Sequence, residues 1–530
     1  MNKIIKVFVV GVLFATTASS QTIYDAAKFV DQDLNGTARF VGMGGAMGAL
    51  GGDISTIGTN PAGIGIYRSN DIMTSFSLSA YGTESKYADK TFNNDKNRWS
   101  FDNIGFVFSS KIGTQTPLRY VNFAFNYKKN KSFFKNMSMG GNLNLTPDKE
   151  VVSQTFQMAN QANAMNQFEN NDIATLDKDG VNLFDDNYTG WLAALGWKGN
   201  LYLKDTQNGD YFIQSPRPSS DFYSREKGGI DQYDFNVAFN FYDRIYLGVT
   251  IGAYDLDYYK FTSYREDYGD QQNYFLESDN RINGAGVDFK IGAIFRPVES
   301  SPFRIGIALH TPIFYKLTYT TNAFLRSNIW IPSENDPDTE NLIQTDVDTY
   351  KALNGNMKQE FRLRTPWKYN VSLGYTIGTS LALGAEYEYQ DYSFVQFSDT
   401  EGYTEGYSHE NATSDALKGV STFRIGAEYK IIPQFAFRLG YNYRSAIFKD
   451  DAFKNLQYNS IHTDTDFANK KAQNNYTLGI GYRGTMFYAD LAYQYSSYKE
   501  NFYAFDDEFL DKTKVTNTRS QVLLTLGMRF

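Results

Sequence analysis

The stretch ARFVGMGGAMGALGGDISTIGTNPAGIGIY, residues 38–67, decides the fold of this chain. It is crowded with glycine, which reaches positive φ freely and lets other backbone approach closely, so the stretch suits a compact plug better than a strand or a regular helix. Asn60-Pro61 predicts a turn within it, because proline forces the preceding residue out of the α region and lacks a donor. We therefore expect residues 21–70 to form a plug ahead of the rest of the chain.

The composition of the remaining chain favours a membrane barrel. Aromatic residues make up 16% of the sequence, with 42 Phe and 40 Tyr, yet the mean hydropathy is only −0.46. No mature segment approaches the roughly 18 uninterrupted apolar residues of a spanning helix. Many aromatic residues without long apolar runs are typical of barrel strands, in which only alternate residues meet lipid and aromatic girdles mark both interfaces.

Charge and cysteine content exclude several classes of function. The formal net charge is −8 and the pI is about 5.2, which argues against a nucleic-acid partner, since such a partner selects a basic face. The chain has no cysteine. Disulfides, cysteine-based metal or catalytic sites and a lipoprotein anchor are therefore excluded.

The first twenty residues predict a secretory signal peptide. Lys3 and Lys6 precede an apolar run at residues 7–15, and the small residues 18–20 come before Gln21. The run is too short to span a membrane. We expect residues 1–20 to be removed and the mature protein to reach the bacterial outer membrane.

Alternation of apolar and polar residues is clearest at the end of the chain. Val522, Leu524 and Leu526 point one way, whereas Gln521 and Thr525 point the other way. A period of two with one apolar face is a strand, whose polar face must look into a lumen. The terminal Phe530 also resembles the closing signature that the assembly machinery of outer-membrane barrels reads.

Alternating runs of this kind predict an all-β chain, with about fourteen antiparallel strands closed into a transmembrane β-barrel over residues 71–530. The even-to-odd links are short, as periplasmic turns are, and the intervening external links are all longer. An even number of strands leaves both chain ends on the periplasmic side. The strands are placed at 71–82, 99–111, 118–131, 233–243, 245–265, 277–297, 302–325, 357–377, 380–398, 419–431, 434–447, 473–484, 486–499 and 517–530.

The link over residues 132–232 is too long to be a structureless external loop. Residues 132–144 continue the third strand or form an extra one. Residues 151–168 have apolar side chains at roughly helical spacing, and a second apolar cluster follows. The two apolar groups contain Phe156, Met165, Trp191, Leu192, Leu195 and Trp197.

Charged residues of both signs recur on the predicted inner faces. A selective ion or phosphate pore would concentrate one sign, whereas mixed charges pair and fill the lumen. The pattern therefore predicts a blocked barrel. The lumenal set includes Asp288, Lys290, Arg304, Glu386, Glu388, Arg424, Glu428, Lys430, Arg438, Arg483 and Asp490.

The sequence does not predict an enzyme or a cofactor. His310 is the histidine placed in the lumen, where a hydrogen-bonded filler is the more frequent role than a base or ligand. No nucleophile or acidic pair stands beside a histidine in the pattern. Asp31, Asp33 and Asn35 copy the first half of a calcium loop, but Gly42 occupies the position of the bidentate glutamate. We therefore favour a polar linker over a metal site.

Asn60-Pro61-Ala62-Gly63, which follows Asp53 and a run of small residues, resembles the N-terminal hatch of the FadL/TodX/OMPP1 family of outer-membrane transporters for hydrophobic compounds. A second similarity is Thr365-Pro366-Trp367-Lys368 followed by residues 381–393. The resemblance implies that Asn60, Pro61, Ala62, Gly63 and Asp53 are plug or gating residues.

The same resemblance implies passive uptake of fatty acids or aromatic hydrocarbons. A ligand would bind at the external mouth, where the apolar residues of the long loop either contact it or only pack the loop onto the rim. It would leave sideways beside an inward-kinked third strand, residues 118–131. The inner residues of that strand, Asn122, Ala124 and Asn126, include no glycine or proline to force a kink.

Three alternatives stay open at this point. The protein could bind haemin, with His310 as axial ligand, or another small ligand. It could also be a structural or adhesive barrel whose external loops bind partners. A plugged lumen favours the transporter, since an adhesin has no use for a gate. We expect a monomer in contact with outer-membrane lipid.

Overall fold

In the computed structural model, the described residues are 22–143, 152–169, 171–205, 207, 209–213, 218–332, 340–450, 452, 456–464, 467–507 and 509–530. The predicted signal peptide, residues 1–20, lies outside the described residues. No helix among the described residues is long and apolar enough to cross a membrane.

Residues 22–70 lie inside the lumen and form the plug. The plug contains the helices α1 (Ile23–Val30) and α2 (Ala38–Gly42) and two 3-10 helices, Ile54–Gly58 and Pro61–Ile66. Side chains of Thr22, Thr37, Asp53 and Asn60 cap the four helices, each accepting a backbone N–H. These caps satisfy backbone N–H groups that have no partner within a short helix, so the glycine-rich segment folds compactly without a long helix.

Fourteen antiparallel strands form a closed barrel around the plug, as the sequence predicts. The continuous strands are β1 (Asp71–Tyr87), β2 (Lys90–Lys111), β4 (Ser219–Phe241), β5 (Ile245–Gly269), β6 (Gln272–Phe295), β10 (Gly419–Ile432), β11 (Phe435–Arg444), β12 (Phe467–Arg483), β13 (Phe487–Tyr503) and β14 (Thr513–Arg529). β14 pairs with β1 from Asp71↔Arg529 to Lys86↔Lys514, which closes the barrel.

The remaining barrel strands each consist of two segments. They are β3 (Leu118–Ser132 and Lys135–Asn142), β7 (Arg304–His310 and Phe314–Pro332), β8 (Met357–Arg364 and Lys368–Ile377) and β9 (Leu381–Asp391 and Gln396–Ser398). The interruptions of β7 and β8 lie side by side, since Ile313 N donates to Thr365 Oγ1 at 2.8 Å. Within residues 132–144, which the sequence left open, Lys135–Asn142 thus continues the third strand, and residue 144 lies outside the described residues.

Side chains alternate between lipid and lumen along the strands. On β14, Val522 and Leu526 are exposed on the outer face, whereas Gln521, Leu523 and Thr525 are buried against the plug and its neighbours. This arrangement confirms the predicted inside and outside faces.

Two external links are tight turns and not the longer loops expected from the sequence. Ala88 and Asp89 alone join β1 to β2, with Ala88 at φ 51°. Asp270 and Gln271 join β5 to β6, and both have positive φ. The strands continue beyond the membrane, where both faces meet polar surroundings, so the apolar alternation that marks a lipid-facing strand is lost there.

The other external links carry most of the helical structure. The helices α3 (Gln154–Glu169), α4 (Ile173–Lys178) and α5 (Trp191–Lys198) confirm the helical content predicted for the long link, and a short hairpin, Leu203–Lys204 with Tyr211–Phe212, follows. Trp191 N donates to Ser460 O at 2.9 Å. We call α3–α5 together with residues 456–464 the cap. Further external elements are Glu340–Asp348, which pairs with the outer end of β7, and the helices α6 (Thr349–Leu353) and α7 (Thr413–Ala416).

Candidate functional site

The predicted hatch residues are buried and touch the barrel wall. Asn60 Oδ1 accepts from Ala62 N at 3.1 Å, and its Nδ2 donates to Ala293 O at 3.2 Å. A Cβ on Gly292 of β6 would lie 2.1 Å from Asn60 Oδ1, and one on Gly248 of β5 would lie 2.4 Å from the Pro61 carbonyl carbon. The plug turn therefore seats on glycines of the wall because no side chain would fit between them.

Asp53 joins two parts of the plug. Its carboxylate accepts from Thr37 Oγ1 at 2.8 Å and from Ser55 N at 3.0 Å. Thr37 precedes α2 and Ser55 lies in the first turn of the 3-10 helix Ile54–Gly58, so Asp53 ties the first half of the plug to the second. Ala62 and Gly63 are buried in the second 3-10 helix. Whether these residues gate transport stays a prediction.

Most of the lumenal charges predicted to pair are paired, whereas Arg304, Lys430 and Arg483 form no ion pair with a carboxylate of the described residues. Arg424 bonds Glu386 and Glu388, the latter at 3.1 Å, and Glu386 also accepts from Gly48 N of the plug at 3.0 Å. A second network joins Arg39 of the plug to Glu428 at 2.8 Å, and further through Arg438 to Asp490. These networks fill the space between plug and wall, which fits a blocked lumen.

His310 is a buried hydrogen-bonded residue of the wall. Its Nε2 lies 3.2 Å from Thr59 O of the plug. The neighbouring lumenal side chains include Lys290, Lys368 and Glu388. Because the imidazole holds the plug, it is not presented to a haem iron, and the axial-ligand hypothesis has no support from this position.

Asp31 and Asp33 face cations and not a metal site. Asp31 pairs with Lys131 at 2.6 Å, with Lys470 at 2.6 Å and with Arg444. Asp33 pairs with Arg519 at 3.1 Å. Because lysine and arginine side chains already pair with both carboxylates, the polar-linker interpretation is favoured over a calcium site.

A cavity of about 160 Å³ lies above these ion pairs. We call it the outer cavity. Its wall has an apolar part and a charged part, and each lysine or arginine that lines it pairs with a carboxylate. The apolar part includes Tyr24, Phe133, Phe134, Met137, Phe448 and Phe502, and the charged part includes Lys28, Asp31, Asp33, Lys131, Lys135, Glu226, Lys260, Lys470, Glu500 and Arg519.

The six apolar residues predicted to bind ligand do not line the outer cavity. Met165, Trp191, Leu192 and Leu195 are fully buried within the cap. Trp197 packs against that cluster, and Phe156 is 38% exposed. The interpretation that they pack the loop onto the rim describes this structure, because helical periodicity cannot separate a loop's own core from a ligand-facing surface. A role in first capture of ligand stays a prediction.

The wall next to the outer cavity is incompletely hydrogen-bonded. β2 and β3 pair only from Asn103↔Lys128 to Lys111↔Tyr120, although both strands continue outward. Strand β2 carries a bulge at this level, where its register against β1 shifts after Ser75. Beyond it, the outer segment of β3 pairs with β4 alone.

The plug occupies the free edge of β3. Asp33 N donates to Asn130 O at 3.0 Å, and Ser132 N donates to Asp33 Oδ2 at 3.1 Å. Asn35 Nδ2 bridges the seam, donating to Asp102 Oδ1 at 2.9 Å and to Lys129 O at 3.1 Å. The sequence of residues 118–131 contains no glycine or proline that would force a kink. In the structure the interruption of β3 lies just beyond this range, at residues 133–134.

His462 closes one side of the outer cavity from the cap. Burial disfavours its charged form, but the adjacent Asp464 carboxylate outweighs burial and raises the pKa of His462 to about 9. Lys260 of β5 also contacts Asp464, at 2.9 Å. Sequence reasoning placed His462 in an external loop, and the pattern His-x-Asp was the available signal for this contact.

The fourteen strands and the N-terminal segment inside their lumen define the fold as a plugged β-barrel. The chain is similar to a Pseudomonas aeruginosa FadL homologue, with a TM-score of 0.51 and 13% identity over 94% of this chain and 99% of that one. The fold expected from the hatch motif is thereby confirmed.

Two further solved structures overlap less closely. The Ralstonia pickettii toluene transporter TbuX gives a TM-score of 0.44 and 13% identity, with 94% of this chain and 99% of that chain covered. The Pseudomonas putida toluene transporter TodX gives a TM-score of 0.45 and 10% identity, with 94% of this chain and 100% of that chain covered. No protein-family model and no curated protein sequence matches the chain.

Proposed function

We propose that the protein is an outer-membrane transporter that takes up hydrophobic small molecules passively through its plugged barrel. The observation that carries the proposal is the outer cavity, which is lined by His462 of the cap, by α1 and the following residues of the plug, and by wall strands that include β3, whose edge beyond Lys128 does not pair with β2. Such a cavity offers a ligand a site between the external mouth and an exit in the wall. The FadL homologue supports the same reading through its fold.

The lining of the outer cavity favours a ligand with an apolar body and a polar end. Phe133, Phe448 and Phe502 can cover a hydrocarbon tail, and burial of each methylene contributes about 0.8 kcal/mol. The ion pairs of Asp31 and Glu226 offer the polar end hydrogen-bonding groups. This division favours a fatty acid over toluene, which has no polar end, and a cavity of about 160 Å³ holds the polar end and only part of a long acyl chain.

The seam supplies the lateral exit. The edge of β3 beyond Lys128 has lost β2 as a partner and bonds Asp33 and Asn35 of the plug. Movement of the plug would break these hydrogen bonds together with the ion pairs of Asp31 and Asp33, and it would open the wall toward lipid without breaking a strand ladder. Capture by the cap, through Trp191 and its neighbours, would precede this step.

The remaining assignments follow from the transporter reading. The signal peptide is removed, Phe530 serves recognition by the barrel-assembly machinery, and the barrel works as a monomer in the bacterial outer membrane. The protein is not an enzyme, in keeping with neighbours that are transporters or channels.

Uptake of labelled oleate, toluene and haemin by cells tests the proposal. We expect oleate uptake well above an empty-vector control, and Phe448→Asp with Phe502→Asp should abolish oleate binding to the purified protein. Phe168→Asp, at an exposed position of α3, is the matched control and should bind oleate normally. Uptake of none of the three compounds would contradict the proposed function.

A further inference from the structure

A second pocket lies on the periplasmic side of the plug. We call it the vestibule. Its volume is about 460 Å³, and its wall is formed by plug residues 50–52 and 66–69 and by residues 376–382 around the β8–β9 turn. Ligand pockets have volumes of roughly 300–1,000 Å³, so the vestibule is large enough for a small amphiphile.

The vestibule is strongly basic although the chain as a whole carries a net charge of −8. Its lining contains the five cations Arg39, Arg68, Arg304, Lys430 and Arg529 and the single carboxylate Glu428. The local excess of positive charge is therefore a property of this pocket and not of the surface in general.

Two of these cations lack an acidic partner among the residues that the structure describes. Arg39 pairs with Glu428, Arg68 with Asp243 and Arg529 with Asp71. No carboxylate in the described part of the chain forms an ion pair with Arg304 or Lys430.

The plug itself orients Arg304. Its Nη1 donates to Leu50 O at 2.9 Å, which fixes the guanidinium at the pocket wall and leaves the edge formed by Nε and Nη2 for an oxyanion. Arg68 and Arg296 add to the positive potential at this side chain. Lys430 reaches the pocket from the end of β10, next to the β8–β9 turn.

Apolar side chains lie beside the two cations. Leu50 and Ile66 of the plug and Leu381 of β9 belong to the same lining. A ligand that satisfies both kinds of wall has an anionic head and a hydrocarbon tail. The outer cavity differs, because every cation that lines it already has a carboxylate partner.

We propose that the vestibule is a binding site for amphiphiles that carry a carboxylate, with the carboxylate held by Arg304 and Lys430 and the tail against Leu50, Ile66 and Leu381. The site deepens the proposed function and rests on it for the origin of the ligand. Binding in the vestibule is nevertheless measurable without transport. Since Leu50 O holds Arg304, occupation of the site and the position of the plug are physically linked.

The chain contains no cysteine, so a single introduced cysteine can be labelled at one chosen position. Thr379→Cys, in the vestibule wall, is labelled with an environment-sensitive fluorophore in the full-length protein in phosphatidylcholine nanodiscs. Titration with dodecanoate should give a saturable signal, and dodecanol, which has the same tail without charge, should bind at least about tenfold more weakly because it lacks charge-assisted hydrogen bonds.

Variants assign the two cations. Arg304→Gln with Lys430→Gln should weaken dodecanoate binding about tenfold or more. Lys111→Gln with Arg244→Gln removes the same charges from exposed periplasmic positions outside the pocket and should leave binding unchanged. All variants must keep the heat-dependent gel mobility shift of a folded barrel.

Several results would overturn the assignment. Equal binding of dodecanol and dodecanoate, or equal dodecanoate binding by both double variants, would show that the two cations do not hold a carboxylate. Tighter binding of dodecyl phosphate than of dodecanoate would make this a phosphate site. Oleate uptake is measured in parallel, so vestibule binding without uptake would contradict only the proposed function, and uptake without vestibule binding only this inference.

Discussion

The plug and the cap both cover the lumen, but different forces hold them. The plug is tied to the wall by buried ion pairs, such as those of Asp31 and Arg39, and by hydrogen bonds to the free edge of β3. The cap is built around a buried apolar cluster that includes Trp191, and it is joined to the wall by the ion pair of Asp464 with Lys260 and by the hydrogen bond from Gln154 N to Glu266. Buried ion pairs thus dominate the contacts of the plug with the wall, whereas the cap depends mainly on its apolar core and has fewer charged contacts.

Locking the plug to the seam should have the largest effect. Asn35→Cys with Asp102→Cys replaces a 2.9 Å side-chain hydrogen bond by a disulfide, which forms without competition in a chain that lacks cysteine. Oleate uptake should fall to the level of the empty vector under oxidising conditions and return after reduction. A disulfide between Tyr233→Cys and Ala253→Cys, directly opposed on β4 and β5, should leave uptake unchanged. Full uptake by the oxidised plug variant would show that the plug does not move.

Removing the core of the cap should loosen only the outer closure. Trp191 is fully buried and its Nε1 donates to Phe184 O at 3.1 Å. Trp191→Ala should cost about 3–5 kcal/mol of local stability by leaving a cavity. Protease added to intact cells should then cleave the β3–β4 link faster, whereas Phe168→Ala, at a side chain that is 56% exposed, should not change the rate. Equal protection of both variants would place Trp191 outside the cap core.

Breaking the ion pairs of Asp31 should destabilise the plug. Asp31→Asn leaves Lys470 and Arg444 without this carboxylate, while Lys131 keeps Asp33 at 3.2 Å, and the loss is about 3 kcal/mol by analogy with other broken buried pairs. Urea unfolding of the protein in detergent measures the change. Asp346→Asn, which removes an exposed partner of Arg326, should leave the midpoint where it was. A wild-type midpoint for Asp31→Asn would mean that the ion pairs do not anchor the plug.

The smallest expected effect is the pH response of the cap. The pKa of His462 is raised to about 9, so the protonated form is favoured in the folded cap. Its contribution to stability is fully present below the unfolded pKa, roughly 6.5, and is lost as the pH rises through about 9. Protease cleavage of the cap should therefore accelerate between pH 7 and 10, and His462→Gln should flatten the profile.

The carboxylates of Asp464 and Asp25 and the ammonium group of Lys260 are the charges that face this ring. An unchanged profile in the variant would assign the response to other groups.

Local pattern determined much of this protein. The alternation of polar Gln521 and apolar Val522, repeated along each strand, predicted the strands and their inner and outer faces. This works because the side-chain period of a strand is two whatever its neighbours are. The glycines and Asn60-Pro61 marked the plug, and the mixed signs of the lumenal charges predicted that such charges pair, as Arg424 does with Glu386 and Arg438 with Glu428, although the partners themselves were not predicted. All of these features depend on short-range geometry that the sequence carries directly.

Tertiary structure alone decided where a ligand can lie. The outer cavity joins α1, β3, β13 and the cap, which are hundreds of residues apart in sequence, and Trp191 became core because the cap folded onto itself. The end of the β2–β3 ladder and the unpaired cations of the vestibule likewise depend on which elements meet. A strand's sequence specifies its faces but not the register with its neighbour or the partner of its charges, because those are set by packing across the closed barrel.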